Sequence, residues 1–177
     1  ALADQPYVAA RESGPFHLLI FGGSQGARRF SEVIPQALIA LAPELRRRLS
    51  VVQQCRPEDL EAVRQAYAAA GIKAETAEFF TDLPARLAAA HLVIARSGAG
   101  TVSELAMLGR PSVLVPYAHA IDDHQTRNAE ALSSVGGAWV LPDADLGVAI
   151  LSEHLAKLMM EPELLCDAAK AARRRAQ

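Results

Sequence analysis

Six runs of strand length, each followed by a helical pattern, constrain this chain more than any other feature. They are "HLLIF" (His17 to Phe21), "LSVVQQ", "AETAEFF", "HLVIARSG", "PSVLVPY" and "AWVL". They read as continuous apolar stretches and not as alternating ones, which marks a parallel sheet buried on both faces. Strict βα alternation then predicts an α/β fold: a doubly wound, Rossmann-like parallel sheet of about six strands. Between the runs the punctuation is specific. A helix is expected from about Ala27 to Leu41, with Pro35 kinking or breaking it. Pro57 suits a first helical turn and Gly71 a stop, and Thr81 or Asp82 caps a short helix. A long helical tail from about Asp145 to Arg175 should break at Pro162.

A chain of 177 residues, 51% apolar and 21% charged, is long enough for one domain with a substantial core. Aromatics make up only 5%, so Ala, Leu and Val fill the interior, as suits helices packed on a buried sheet. Residues 16–177 form the expected domain, and residues 1–15 are expected to be a linker or a frayed start. A net charge of −2 gives no case for nucleic acid. Cys55 and Cys166 lie far apart and read as reduced thiols. No apolar run approaches the ~20 residues needed to span a bilayer. Ala1 to Pro15 is polar and mixed, with no signal-peptide pattern, so the chain is expected to be soluble. The basic "KAARRR" near the end reads as a solvated helix terminus favoured by the macrodipole.

In such sheets ligands bind beyond the carboxyl ends of the strands, so the strand-to-helix turns hold the chemistry. The first, "GGSQGAR", allows two readings of Ser24. Gly22-x-Ser24-x-Gly26 after a strand has the outline of a hydrolase nucleophile elbow, with Asp143 or Asp145 and His154 as nominal triad partners. It equally fits a glycine turn that holds a phosphate at a helix N-terminus. The elbow is the weaker reading: no earlier strand supplies the second oxyanion donor, and His154 falls inside a helical pattern. The second turn, "RSGAGTVSE", leaves N–H groups open at Gly98, Ala99 and Gly100. Its Thr101-x-x-Glu104 is either a capping box or a carboxylate placed to take two ribose hydroxyls. The third turn, "PYAHAIDDHQTRNA", offers Asp122 or Asp123 as a cap, with His124, Gln125 and Asn128 facing the crevice. Solvated loop side chains explain His119 and His124 better than a metal does. The fourth, "EFFTDL", has Phe79 and Phe80 closing the third strand, one in the core and the other available to a planar base.

"GGSQGA", "EFFTDL", "ARSGAGTVSELAMLGRPSVLVPY" and "DDHQTRNAEAL" occur in this order. Together they closely resemble the C-terminal half of the MurG family, from about Gly14 to Ala172. These are the UDP-N-acetylglucosamine transferases that make the lipid-linked disaccharide of bacterial peptidoglycan. The resemblance implies a GT-B glycosyltransferase, two Rossmann-like domains with the active site between them, of which this is the donor-binding one. It implies that Ser24, flanked by Gly23 and Gln25, contacts the donor diphosphate, and that Phe80 sits at the uracil mainly through its backbone. Ala99, Gly100 and Thr101, followed by Val102 and Ser103, would bring donors to the diphosphate. Glu104 would bind the ribose, and Gln125 beside His124 would read GlcNAc hydroxyls. It also implies no metal or cofactor, and places the catalytic base, the lipid-linked acceptor and the membrane contact in an N-terminal domain outside this sequence. The intact enzyme would sit peripherally on the inner face of the cytoplasmic membrane. One departure stands out: the family's Asn-Pro-Val-Arg segment has no counterpart in residues 1–15, where Arg11 is not its equivalent.

Overall fold

The computed structural model describes residues 1–117 and 123–177, and the side chains of all these except Ser24 and Gln25. Each strand is followed by a helix: β1 (Phe16–Phe21), α1 (Gly23–Ile39) with the single turn α2 (Pro43–Arg46), β2 (Leu49–Gln54), α3 (Leu60–Ala69), β3 (Lys73–Ala77), α4 (Leu83–Ala89), β4 (Leu92–Ala95), α5 (Ala99–Leu108), β5 (Ser112–Leu114), α6 (His124–Ser133), β6 (Ala138–Val140), and finally α7 (Val148–Met160) and α8 (Pro162–Ala176). Every ladder is parallel, in the order β3-β2-β1-β4-β5-β6. The order reverses between β1 and β4, and in open α/β sheets ligands bind beyond the carboxyl ends of the strands at such a switch point.

Two apolar layers enclose the sheet. On one face Phe16, Leu18 and Ile20 of β1 meet Phe30, Ile34 and Leu38 of α1, Val63 and Tyr67 of α3, and Leu151 and Leu155 of α7. On the other, Leu19 and Phe21 meet Leu87 of α4, Leu105 of α5, Leu132 of α6 and Ala172 of α8. This two-sided burial is why β1, β4 and β5 read as unbroken apolar runs. At the edge, the polar residues of β3 are half-buried or exposed.

Several expectations change on contact with the structure. Pro57 lies in the turn before α3, which starts at Leu60 with Asp59 as its cap residue, and not in a first helical turn. α1 runs unbroken through Pro35. The missing N–H removes one ladder bond, while Phe30, Val33, Ile34, Ala37 and Leu38 of the same helix are all buried and hold it in place. β3 ends at Ala77 because β2 ends at Gln54; the Cys55 N–H to Ala77 carbonyl bond, 2.9 Å, is the last between them. Phe79 and Phe80 therefore lie in the loop beyond the strand. Part of the segment 1–15 lies on the domain: Tyr7 donates to the His91 carbonyl at 2.8 Å, and Arg110 and Arg173 donate to the carbonyls of Gln5 and Ala3 at 3.2 and 2.6 Å. The break before Pro162, the stop at Gly71 with φ +69° and the cap position at Asp82 fall where the sequence puts them. Among the described residues no helix is long and apolar enough to cross a membrane.

Candidate functional site

The β1–α1 turn is compact because the chain reverses at Gly23, whose φ of +70° is a left-handed conformation that favours glycine. α1 starts at Gly23 with Gly22 as its cap residue and no side-chain cap bond. The N–H groups of Gly22 and Gly23 are nevertheless occupied: both donate to Oε1 of Gln54, at 3.1 and 2.9 Å. Gln54 Nε2 in turn donates to the Glu78 carbonyl at 3.1 Å. Gly23 thus bends the chain, and its N–H belongs to Gln54. The side chains of Ser24 and Gln25 lie outside the described structure.

α5 begins at Ala99, with Gly98 as its cap residue and no side-chain cap bond. Its first backbone bond runs from the Val102 N–H to the Gly98 carbonyl at 3.0 Å, so the N–H groups of Ala99, Gly100 and Thr101 have no acceptor among the described residues. The capping box does not form. Thr101 is the third helical residue instead of the cap, which puts Glu104 one turn too far along to reach back to a cap N–H. Glu104 and Ser103 are exposed, while Val102 packs against the core under α5.

Arg96 and Ser97, the two residues after β4, tie the turns together. Arg96 is buried, and its Nη1 donates to Asp143 at 2.5 Å and to the carbonyls of Val115 and Pro116 at 3.3 and 3.4 Å. Its guanidinium lies 4.6 Å from the Phe30 ring centre and 5.3 Å from that of Tyr117. Its stem crosses Gly26 so closely that a Cβ there would stand 2.7 Å from Arg96 Cγ. Ser97 is the second knot. Its N–H and the Tyr117 N–H both donate to Gln125 Oε1, at 3.3 and 2.8 Å. The Ser97 hydroxyl donates to the Gln125 carbonyl at 2.7 Å, and Asn128 Nδ2 donates to the Ser97 carbonyl at 2.9 Å. One carboxamide oxygen of Gln125 is thereby committed to the scaffold, leaving Nε2 as its remaining polar group. Asn128 has the same scaffold role.

Of the two phenylalanines in the fourth turn, Phe79 is 68% exposed, whereas half-buried Phe80 lies under the Arg86 guanidinium at 4.7 Å. Arg86 pairs with Asp82 at 2.9 Å, which lowers the Asp82 pKa chiefly through that hydrogen bond. A cavity of about 280 Å³ opens between this loop and the β1 turn, lined in part by Gly23, Gln54, Arg56 and Phe79. His124 opens α6 and is exposed, with Nδ1 3.4 Å from Arg127. His119 and Asp122 lie outside the described residues; among the described ones no group of acidic, His or Cys side chains is placed to hold a metal. A larger cavity, about 540 Å³, lies away from these turns between residues 3–7, the C-terminal end of α5 and α8.

Two of the residues nominated as hydrolase triad partners, Asp143 and His154, are engaged elsewhere. Asp143 is the ion partner of Arg96. His154 packs edge-on against Trp139 at 5.9 Å, and burial, then Lys157, lowers its pKa. Gln54 and Arg96 are the site residues that sequence reasoning passed over. A glutamine at the carboxyl end of one strand and an arginine at that of another were visible, but their partners, Gly22–Gly23 and Asp143, are remote in the chain.

A parallel sheet in this order, with the helices α1 and α5 starting on either side of its switch point, is a doubly wound nucleotide-binding fold, and it matches the C-terminal half of the GT-B class of glycosyltransferases. Residues 17–177 match the model of the Glycosyltransferase family 28 C-terminal domain, and the chain belongs to that family. It is 58% identical over 173 residues to the UDP-N-acetylglucosamine–N-acetylmuramyl-(pentapeptide) pyrophosphoryl-undecaprenol N-acetylglucosamine transferase of Rhodospirillum rubrum, covering 98% of this chain and 45% of that protein. The transferase of the same name from Paramagnetospirillum magneticum is 53% identical, over 98% of this chain and 47% of its own length. The chain thus spans less than half of these relatives. Among solved structures, Acinetobacter baumannii MurG superposes with a TM-score of 0.84 at 33% identity, covering 97% of this chain and 51% of that one. The C-terminal domain of a group 1 glycosyl transferase from Francisella tularensis shares the fold at a TM-score of 0.69 and 14% identity, over 98% and 94% of the two chains.

Proposed function

We propose that this chain is the donor-binding domain of an inverting transferase. The enzyme would move GlcNAc from UDP-GlcNAc to the 4-hydroxyl of a lipid-linked N-acetylmuramyl-pentapeptide. The observation that carries the reading is the N-terminus of α5, whose first three N–H groups have no acceptor among the described residues, beside the N-terminal turn of α1 at the switch point. Two helix N-termini aimed at one crevice suit a diphosphate. The relatives named for UDP-N-acetylglucosamine supply the sugar and the base.

In this reading the acceptor hydroxyl attacks the anomeric carbon from the face opposite UDP, its proton passes to a base outside residues 16–177, and the C1–O bond to the diphosphate breaks. Negative charge grows on the leaving diphosphate. Backbone N–H groups at Ala99, Gly100 and Thr101, the Ser24 hydroxyl and the turn around Gln25 stabilise it without a metal or other cofactor. Glu104, released from any capping duty, accepts the ribose hydroxyls. Phe80 borders the uracil, and His124 with Gln125 Nε2 faces the sugar. The acceptor and the membrane are reached through a further domain on the cytoplasmic face.

Titration calorimetry of the chain with UDP-GlcNAc, UDP-GalNAc and UDP tests the donor. Binding of UDP-GlcNAc and UDP is expected; binding of neither overturns the reading. In the complete enzyme, Ser24→Ala is expected to lower turnover by about 10²-fold, as loss of one well-aimed oxyanion donor does. Unchanged turnover removes Ser24 from the diphosphate site.

A further inference from the structure

The glycine turn would be expected to offer its first N–H groups to an anion, yet here they already have an acceptor. Gln54 is half-buried at the last position of β2, and its carboxamide joins two loops that no backbone bond joins. Its orientation is settled by its neighbours. The N–H groups of Gly22 and Gly23 require an oxygen on one side, and the Glu78 carbonyl requires an N–H on the other. The loop it holds, residues 78–82, carries Phe79 and Phe80. The turn it holds sets the start of α1, since a Cβ on Gly22 would meet the Gly26 carbonyl carbon at 3.0 Å and leaves the turn no slack.

We infer that Gln54 is a positioning residue that couples the diphosphate end of the donor site to its base end. This rests on the donor-domain reading above. With Gly22 and Gly23 committed to Gln54, an anion at α1 is left the N–H groups from Ser24 onward. It meets a turn whose shape depends on where the Phe79–Phe80 loop stands. A base seated against that loop holds the Glu78 carbonyl in place, and through Gln54 holds the glycine turn ready for the phosphates.

The test uses the 177-residue chain, with UDP and inorganic pyrophosphate as probes, read by calorimetry and by amide hydrogen exchange. Gln54→Ala is expected to weaken UDP binding about tenfold, the worth of one or two lost hydrogen bonds. It should also speed exchange at Gly22–Gly23 and at residues 78–82 together. Pyrophosphate should slow exchange in the 78–82 loop of the parent but not of the variant, an effect that lost stability alone does not produce. Gln54→Glu, which keeps an acceptor for the glycines but cannot donate to Glu78, should speed exchange in 78–82 and leave Gly22–Gly23 protected. It also stands in if Gln54→Ala does not fold. A Gln54→Ala chain that binds UDP as the parent does or whose two segments do not respond together, or a Gln54→Glu chain in which residues 78–82 stay as protected as in the parent, overturns the inference. If the parent binds neither probe while the two segments still respond together to Gln54→Ala, the donor reading fails and the coupling survives.

Discussion

Replacing Gly26 with alanine sets two effects of opposite sign against each other where α1 passes the Arg96 side chain. Gly26 lies inside α1 and outside the positive-φ set, so its backbone accepts a side chain, and alanine there is worth up to about 1 kcal/mol over glycine. Against this stands space. The new Cβ would lie 2.7 Å from Cγ and 2.8 Å from Nε of Arg96. Those atoms are not the loose end of a flexible chain, because the guanidinium is anchored at Asp143 and at the carbonyls of Val115 and Pro116. Overpacking of a fixed interior costs roughly 1–3 kcal/mol. Moving Arg96 off a partner that is only 19% exposed pushes towards the upper end of that range. The steric effect wins, and the net loss is about 1–2 kcal/mol, or a fall in Tm of roughly 2–8 °C for a chain of this length. Urea denaturation followed by Trp139, the single tryptophan, reads the change directly. A Gly26→Ala chain as stable as the parent would refute the claim that Arg96 is fixed across the glycine turn.

Three other outcomes follow from the same contacts. Asp143→Ala leaves the buried Arg96 charge without its carboxylate and should cost about 3 kcal/mol in urea denaturation; an unchanged midpoint would mean that the two carbonyls suffice. Glu104→Gln, at an exposed position with no cap to lose, should shift stability by less than about 0.5 kcal/mol while weakening UDP binding in calorimetry. A large stability loss with unchanged binding would instead return Glu104 to a structural role. His91 accepts the His17 N–H on Nδ1 at 2.8 Å, and burial, with His17, Arg48 and Arg110 nearby, lowers its pKa from 6.5 to about 4. The unfolded chain therefore binds a proton that the folded chain refuses. This group's contribution to stability is complete above pH 6.5 and is lost as the pH falls from 6.5 towards 4. His91→Gln should flatten the pH dependence of the urea midpoint across that window, and an identical slope in both chains would count against the assignment.

Local pattern in the sequence determined most of the scaffold. Apolar runs of strand length alternating with helical periods are sufficient for a parallel, doubly wound sheet, because only two-sided burial tolerates such strands in series. Gly71, Asp82 and Pro162 mark boundaries for reasons confined to their own backbones: a left-handed φ, a cap position, and a missing N–H at a helix start. The four turns of the candidate site were legible for the same reason, as were the glycines in them.

Only the tertiary structure decided how those turns are held. Thr101-x-x-Glu104 has the spacing of a capping box, yet the chain enters α5 at Gly98, because the entry point is set by where β4 delivers it to the sheet edge. Pro35 breaks the local rule and α1 survives, since burial of the whole helix face outweighs one absent bond. Gln54 with Gly22 and Gly23, Arg96 with Asp143, and Ser97 with Gln125 and Asn128 join residues that lie dozens of positions apart. Such pairs depend on strand register and layer packing, and neither has a periodicity that a linear sequence displays.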